Sequence, residues 1–398
     1  MQITNIRIRR VQGVMEQPEP LWEERLIRPV DLYPEDQAVG PEYYKMPEIA
    51  PHRYAISTFF LELDTDEGVT GRAGPLREET AYLVHKLLKP LLLRADPIAN
   101  EKLWDRMYRT AIHGRKGEAM MAISAVDCAL WDLRGKWLNV PVYRLLGGPT
   151  RERIRVYASA LGYSLDPALV RERAQRLVAE GYTAMKWFFR WGPWNGREGM
   201  RKNLELASTL REAVGPEVDI MLDAWSSWDV PYAIQMAEQL AAYDIFWLEE
   251  PVLADKLDSY AAIRAVSPIR IAGGEHEYTR WGFKEVMALN AMDVWQPDIY
   301  WAGGISELLK ICTLASVADV IIIPHGHSTP ANAHLTLSQS PALIPIQEYL
   351  LKWNEIHQFF LKHPLKPVNG YLSLPELPGL GMELDEEKIE QSEEMQWL

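Results

Sequence analysis

Five side chains with chemistry to offer recur at nearly constant steps through the second half of the chain. They are Asp223, Glu249, Glu275, Asp298 and His325, separated by 26, 26, 23 and 27 residues. Each closes a short run rich in β-forming residues: DIMLD (219–223), IFWLE (245–249), IRIAGGE (269–275), MDVWQPD (292–298) and VIIIPH (320–325). A step of that length is one strand plus one helix, so the five groups are expected side by side at the ends of consecutive parallel strands. Three carboxylates converging on one spot repel one another, which raises their pKa values or destabilises the fold. A hard divalent cation relieves that repulsion. Asp223, Glu249 and Glu275, three oxygen ligands on an otherwise open site, suit Mg²⁺. Each acid taken alone could instead pair with a nearby lysine or arginine; the regular spacing of all three favours the metal. Asp298 beside His325 offers different work. A carboxylate next to an imidazole fixes its tautomer and makes the far nitrogen more basic, a general-base pair. A lone histidine in Pro-His-Gly could equally be a core residue, but its place one strand after Asp298 favours function.

Other groups fall at neighbouring strand ends. Lys186, near the end of TAMKWF (183–188), is expected across the mouth from the Asp298–His325 pair. There it could bind a substrate carboxylate or stabilise an enolate, or simply serve as a structural ion-pair partner. Glu348, ending LIPIQE (343–348), could hydrogen-bond the substrate or serve only the lid. His276 follows Glu275 directly; it could point into the pocket, or strand alternation could turn it outward. His327 and His334 have no spacing argument and read as loop residues.

These positions require a particular scaffold. With IRVYAS (154–159) and TAMKWF, the β-rich runs number eight, and each of the first seven is followed by a stretch long enough for a helix. That alternation predicts parallel strands, and eight units in about 200 residues predict a closed (β/α)8-type barrel of the TIM kind, an α/β fold. The N-terminal part differs. Ile3, Ile6 and Ile8 begin a strand, Thr58 to Leu63 form another, and a turn at 64–68 leads to a third at Val69 and Thr70. Residues 78–112 read as two helices broken near Pro97. A third helix runs from about Glu118 to Trp137, with Met121, Ala125, Cys128 and Leu130 on its buried face, and Pro141 with Gly147-Gly148-Pro149 closes the region. Between the first strands lies a segment of about 16–53 with Pro18, Pro20, Pro29, Pro34, Pro41, Pro47 and Pro51, where regular structure is not expected. Its Trp22, Tyr33, Tyr43 and Tyr44 argue for a lid rather than plain disorder. The tail from about 360, with Pro364, Pro367, Pro375 and Pro378, is expected to fold back on the N-terminal part.

Composition narrows the partners. The 398 residues carry a net charge of -13, which repels nucleic acid and anionic membranes. A small anion would need a local cation to bind. The two cysteines, Cys128 and Cys312, make neither a disulfide framework nor a zinc motif and read as buried thiols in a reducing compartment. The start, MQITNIRIRR, has no apolar run of the secretory kind, and no stretch approaches the length needed to span a bilayer. A cytoplasmic location is expected.

The run AISAVDCALWDLRGK (122–136), followed by PVYRLLGG (141–148), resembles a signature of the enolase superfamily. LDAW (222–225), LEEP (248–251), GGEH (273–276), QPD (296–298) and PHG (324–326) are similar, in the same order, to its mandelate racemase subgroup. The resemblance covers nearly the whole chain; each motif is weak alone, and the set is specific. It implies an α+β capping domain (1–125, with the lid at about 16–53), a modified barrel (126–358) and a C-terminal segment (359–398) completing the cap. It also implies one Mg²⁺ on Asp223, Glu249 and Glu275, proton transfer by His325 paired with Asp298, and a sugar acid as substrate, with a homo-oligomer as the expected assembly. Racemases of the subgroup carry Lys-x-Lys on the second strand; here the sequence is Lys186-Trp187-Phe188, and Phe188 cannot take a proton. With Gly-Glu-His and Arg190-Trp191-Gly192-Pro193, the pattern is most similar to the rhamnonate-type sugar-acid dehydratases. The expected reaction is loss of water from an aldonate: proton removal at C2, an enediolate, departure of the C3 hydroxyl and tautomerisation to a 2-keto-3-deoxy acid. An epimerase, a cycloisomerase and a non-catalytic binding protein are the alternatives. Trp22 and Arg53 of the lid, together with Arg190 and His276, are candidate substrate contacts.

Overall fold

The computed structural model describes residues 1–40 and 46–397; Pro41, Tyr43 and Tyr44 of the proline-rich segment lie outside them. The chain opens with β1 (Ile3–Glu16), in which Ile6 and Ile8 are buried while Arg7 and Arg9 face outward to carboxylate partners. β2 (Glu48–Ala50), β3 (Arg53–Thr65) and β4 (Thr70–Leu76) follow. β3 lies antiparallel between β1 and β4, with Ile8 opposite Leu61 and Leu63 opposite Gly71. The turn between β3 and β4 is held by Thr65, whose hydroxyl donates to the Val69 carbonyl at 2.9 Å. Helical chain from Glu78 to Leu92 then breaks around Pro97 before helix Asn100–Thr110.

Helix Glu118–Leu138 is buried along most of its length because it is sandwiched between this sheet and the barrel. Its polar side chains reach across that boundary. Asp127 accepts from the Ser306 amide at 2.9 Å and the Ser306 hydroxyl at 2.6 Å, capping the start of helix Gly304–Val317. Ser124 accepts from the Gly303 amide at 2.9 Å, and Asp132 accepts from Arg72 and Leu380 amides at 2.8 Å each.

Eight parallel strands form the second sheet: β5 (Ile154–Ser159), β6 (Ala184–Phe188), β7 (Asp219–Asp223), β8 (Ile245–Glu249), β9 (Arg270–Gly273), β10 (Val294–Trp295), β11 (Ile321–Ile322) and β12 (Gln347–Leu350). They pair in the order β12-β5-β6-β7-β8-β9-β10-β11. The seam between β11 and β12 is tied by the Ile322 amide to the Leu343 carbonyl, 2.8 Å, and by the Gly326 amide to the Glu348 carboxylate, 2.8 Å. All eight runs expected from the sequence lie in this curled sheet, the last starting later than the apolar LIPI suggested. β13 (Tyr371–Leu372) pairs antiparallel with β5, and β14 (Gln391–Glu394) adds to the free edge of β1, so the tail does return to the first sheet.

One apolar residue from each strand run fills the barrel interior: Tyr157, Ala184, Met221, Trp247, Ala272, Val294, Ile323 and Ile346. Strand side chains alternate with a period of two. The residues two positions later, including Lys186, Asp223, Glu249, His325 and Glu348, therefore share the inward face one layer higher, at the C-terminal mouth.

The described part of the 16–53 segment buries Leu21, Trp22, Leu26 and Ile27 and also folds around a charged centre. Buried Asp31 takes Arg25 at 2.6 Å and Arg28 at 3.1 Å. The Ile27 amide donates to Phe189 O and the Glu23 amide to Gly162 O, each at 2.8 Å, which seats the segment on the loops after β6 and β5. Only short elements interrupt it, at Pro29–Leu32, Pro34–Gln37 and β2. Both cysteines are free and buried, as expected.

Gly304 is a point of close approach between the barrel and helix Glu118–Leu138. Its φ is +81°, and a Cβ there would lie 2.5 Å from Asp127 Oδ2. Gly304→Ala is expected to cost about 2–4 kcal/mol through backbone strain and overpacking. Chemical denaturation measures this; stability within 0.5 kcal/mol of the parent, about the size of a neutral surface change, would contradict the close approach.

Candidate active site at the barrel mouth

Lys186 is 1% exposed, and its ammonium lies 2.5 Å from Glu249, 2.9 Å from Glu348 and 3.4 Å from Asp223. Burial works against the charged lysine, but the Glu249 and Glu348 carboxylates overcome it and raise its pKa well above the usual range. The same ammonium, with His325, holds Glu348 below the ordinary carboxylate value despite burial. Asp223 is pushed well above its ordinary value, first by burial and then by the Glu249 charge. The second oxygen of Glu249 accepts from the Trp247 indole at 2.8 Å.

Across the mouth, His325 Nδ1 lies 2.7 Å from Asp298 Oδ2. A carboxylate can only accept, so Nδ1 carries the proton and Nε2 faces the mouth. The other Asp298 oxygen accepts from the Tyr300 amide at 2.7 Å, which fixes the carboxylate. Nε2 is 3.4 Å from Glu275. Burial alone would lower the His325 pKa; Glu275 and Asp298 raise it to about 10.

A second cluster adjoins the first. Glu250, Glu275 and His276 place ligand atoms within 4.8 Å of one another. His276 Nδ1 is 2.9 Å from Glu250, and Ser226 donates to Glu250 at 3.1 Å. Burial lowers the His276 pKa, but Glu250 and Glu275 raise it to about 9. Strand alternation does not turn His276 outward, because β9 ends at Gly273 and Gly274 turns through φ +108°. The ring packs between Trp225 and Trp301. Trp225, Ser226 and Glu250 all have positive φ, uncommon for residues with a side chain and concentrated here at the mouth.

Asp223, Glu249, Glu275, Asp298, His325, Lys186 and Glu348 thus meet at one mouth, though Glu249 is turned toward Lys186 while Glu250 faces Glu275. Sequence reasoning did not single out Glu250, Trp225, Ser226 or Trp301. The available signal for Glu250 was a second acid directly after a strand end and before Pro251. Phe188 extends the Lys186 face, its ring 5.4 Å from the ammonium. Of the lid candidates, Trp22 is buried against Trp353 and Arg53 pairs with Glu16 at 3.1 Å; Arg190, after β6, lies 3.5 Å from Glu24 and 3.8 Å from Asp31. His334 is not in a loop: it sits in helix Thr329–Ser338, where its ring accepts from the Tyr143 amide at 3.1 Å. His327 is half-buried against Tyr300, Trp301 and His357.

A barrel with acids at consecutive strand ends, under a cap completed by the tail, defines an enzyme of the enolase superfamily. Family comparison agrees: residues 169–388 match the enolase C-terminal domain-like family, and residues 44–147 match the mandelate racemase/muconate lactonizing enzyme N-terminal domain. The chain belongs to this family. It is 35% identical to an L-rhamnonate dehydratase of Saccharopolyspora erythraea, covering 97% of each chain. It is 33% identical to a D-galactarolactone cycloisomerase of Agrobacterium fabrum, over 83% of this chain and 89% of the other. The crystal structure of rhamnonate dehydratase from Gibberella zeae complexed with Mg superposes with a TM-score of 0.82 at 31% identity, covering 98% of this chain and 96% of that one. Among the described residues, no helix is long and apolar enough to cross a membrane.

The two histidines make stability depend on alkaline pH. Folding raises His325 from 6.5 to about 10 and His276 from 6.5 to about 9. Their charged forms therefore stabilise the folded protein fully below pH 6.5, and that contribution is lost as pH rises through 9 and 10. Chelator-treated protein should lose denaturation free energy over this window, and His325→Asn should flatten the loss. Equal slopes in both proteins would contradict the assignment.

Proposed function

We propose that this enzyme dehydrates a sugar acid of the rhamnonate kind to a 2-keto-3-deoxy acid, with a divalent cation, Mg²⁺, as its cofactor. The observation that carries the reading is the single base. The Asp298–His325 pair, at 2.7 Å, stands on one side of the mouth, and Phe188 occupies the opposite position where a second base would be needed. Similarity to the S. erythraea dehydratase over nearly the whole chain supports the same chemistry.

The donor set fits a hard cation. Buried carboxylates of Asp223, Glu249, Glu250 and Glu275 crowd one mouth, and burial pushes Asp223 and Glu275 above their ordinary pKa values. Asp223, Glu249 and Glu275 are the ligands we assign, while Glu250 orients His276 beside them. Bound there, Mg²⁺ supplies Lewis-acid stabilisation of the negative charge that develops on the substrate carboxylate. The Lys186 ammonium binds and neutralises the same carboxylate. With the Glu275 charge that most raises the His325 pKa neutralised by a cation held there, His325 Nε2, its imidazole oriented by Asp298, is free to take the C2 proton. The protonated ring then returns a proton to the departing C3 hydroxyl on the same face, a syn elimination. Glu348 keeps Lys186 charged and in place.

A cycloisomerase is the second reading, favoured by the A. fabrum relative, since it too can run on one base. An epimerase is disfavoured by Phe188. Incubating the Mg²⁺-loaded enzyme with a panel of sugar acids and identifying products separates them: a 2-keto-3-deoxy acid is expected, whereas a lactone rearrangement or a C2 epimer as sole product would contradict the proposal. Asp223→Asn, Glu249→Gln and Glu275→Gln should each abolish turnover and Mg²⁺ binding by calorimetry. Glu250→Gln should weaken binding only about 10–100-fold, as for a residue supporting a ligand. The reverse order for Glu249 and Glu250 would move the metal to Glu250.

A further inference from the structure

The residues after Asp298 make a turn that divides two aromatic side chains between two tasks. The Trp301 and Ala302 amides donate to the Asp298 carbonyl at 3.1 and 2.8 Å. Tyr300 is buried and directed toward the cap, its hydroxyl accepting from the Gly74 amide at 3.1 Å. Trp301 lies on the mouth side, although both rings also approach His327, at 5.7 and 5.8 Å. Its indole is half-buried, 4.9 Å from the His325 ring and 5.8 Å from the His276 ring. It therefore spans both histidines of the mouth and belongs to the same turn that holds the base's carboxylate.

Beside it stand the uncharged His327 ring at 5.8 Å and the charged groups of the mouth. Lys186, His325 and His276 with their carboxylates suit a substrate's carboxylate and hydroxyls. The Trp225 indole nitrogen donates to Glu275 at 3.2 Å, and Phe188 lies over Lys186. A carbon chain bearing hydroxyls on one side presents C–H bonds on the other, and these need an apolar, electron-rich face. Trp301 offers such a face 4.9 Å from the His325 ring.

We propose that Trp301 is a specificity-determining residue that reads the carbon chain of the sugar acid beyond C3. This rests on the dehydratase reading only for the numbering of the carbons, so the test reads binding rather than turnover. In Mg²⁺-loaded His325→Asn protein, calorimetry gives the Kd of a six-carbon aldonate and of the four-carbon aldonate with the same C2 and C3 configuration. Adding Trp301→Ala should weaken the six-carbon acid about 10–100-fold, the range for losing an apolar contact in a pocket, and the four-carbon acid less than about 3-fold. Trp301→Phe should restore most of the difference. In otherwise wild-type enzyme, Trp301→Ala should raise KM for the longer acid with little change in kcat or in the pH profile. Equal weakening for both acids, or none for either, would overturn the proposal, as would a loss confined to kcat, which would make Trp301 a positioning residue for His325. A wild type that binds these acids with the expected contrast but forms no 2-keto acid would instead overturn the dehydratase reading alone.

Discussion

One buried ammonium balances the carboxylates on which this mouth is built. Lys186 has almost no contact with water, yet it stays charged because Glu249, Glu348 and Asp223, from three other strands, lie within 3.4 Å. An unpaired ammonium at that depth would be prohibitively unfavourable, and so would the carboxylates without it. The charges form a mutual constraint: removing one leaves the others uncompensated in a medium where charge is costly. The arrangement is still short of positive charge, as the upward shifts of Asp223 and Glu275 register. Such a mouth suits the divalent cation proposed above and, with it, a small anion that the acidic surface would otherwise repel.

The fold is arranged to hold that mouth rigid. An apolar layer contributed by every strand of the barrel fixes the inward face, and the charged layer follows it two residues later. Where the mouth needs more than strand geometry provides, the backbone leaves the strand. Gly274 brings Glu275 and His276 to the same side, and positive φ at Trp225, Ser226 and Glu250 packs a carboxylate and an indole against them. Helix Glu118–Leu138 ties the cap to the far side of this assembly through Asp127, and Tyr300 ties the turn after Asp298 to the cap strand at Gly74. Cap, base and barrel are thereby one mechanical unit.

The sequence made much of this legible because the dominant signals were periodic. The repeat of β-rich runs with acids at their ends exposed the barrel and the strand-end groups, and burial of Cys128 and Cys312 followed from their isolation. What escaped was set by local backbone turns rather than period. Glu250 follows the strand end directly, and its role depends on a positive φ at a residue that carries a side chain. Trp301 lies on the mouth side because the turn after Asp298 directs Tyr300 toward the cap. His334 looked like a loop residue, although Pro330 at the start of its helix is a favourable first-turn signal. The described part of the 16–53 segment read as irregular because Asp31 with two arginines, and the scattered apolar Leu21, Trp22, Leu26 and Ile27, anchor it without a period.

A single base working on one face of the substrate has a direct signature in D₂O, when the Mg²⁺-loaded enzyme is incubated with each C2 epimer of a turned-over sugar acid or a slow analogue and loss of the C2 proton is followed by NMR. Exchange or elimination is expected from one epimer only, and none from either with His325→Asn. Processing of both epimers by the wild type, or near wild-type exchange by the variant, would contradict a single base and require a second one on the Lys186 side of the mouth.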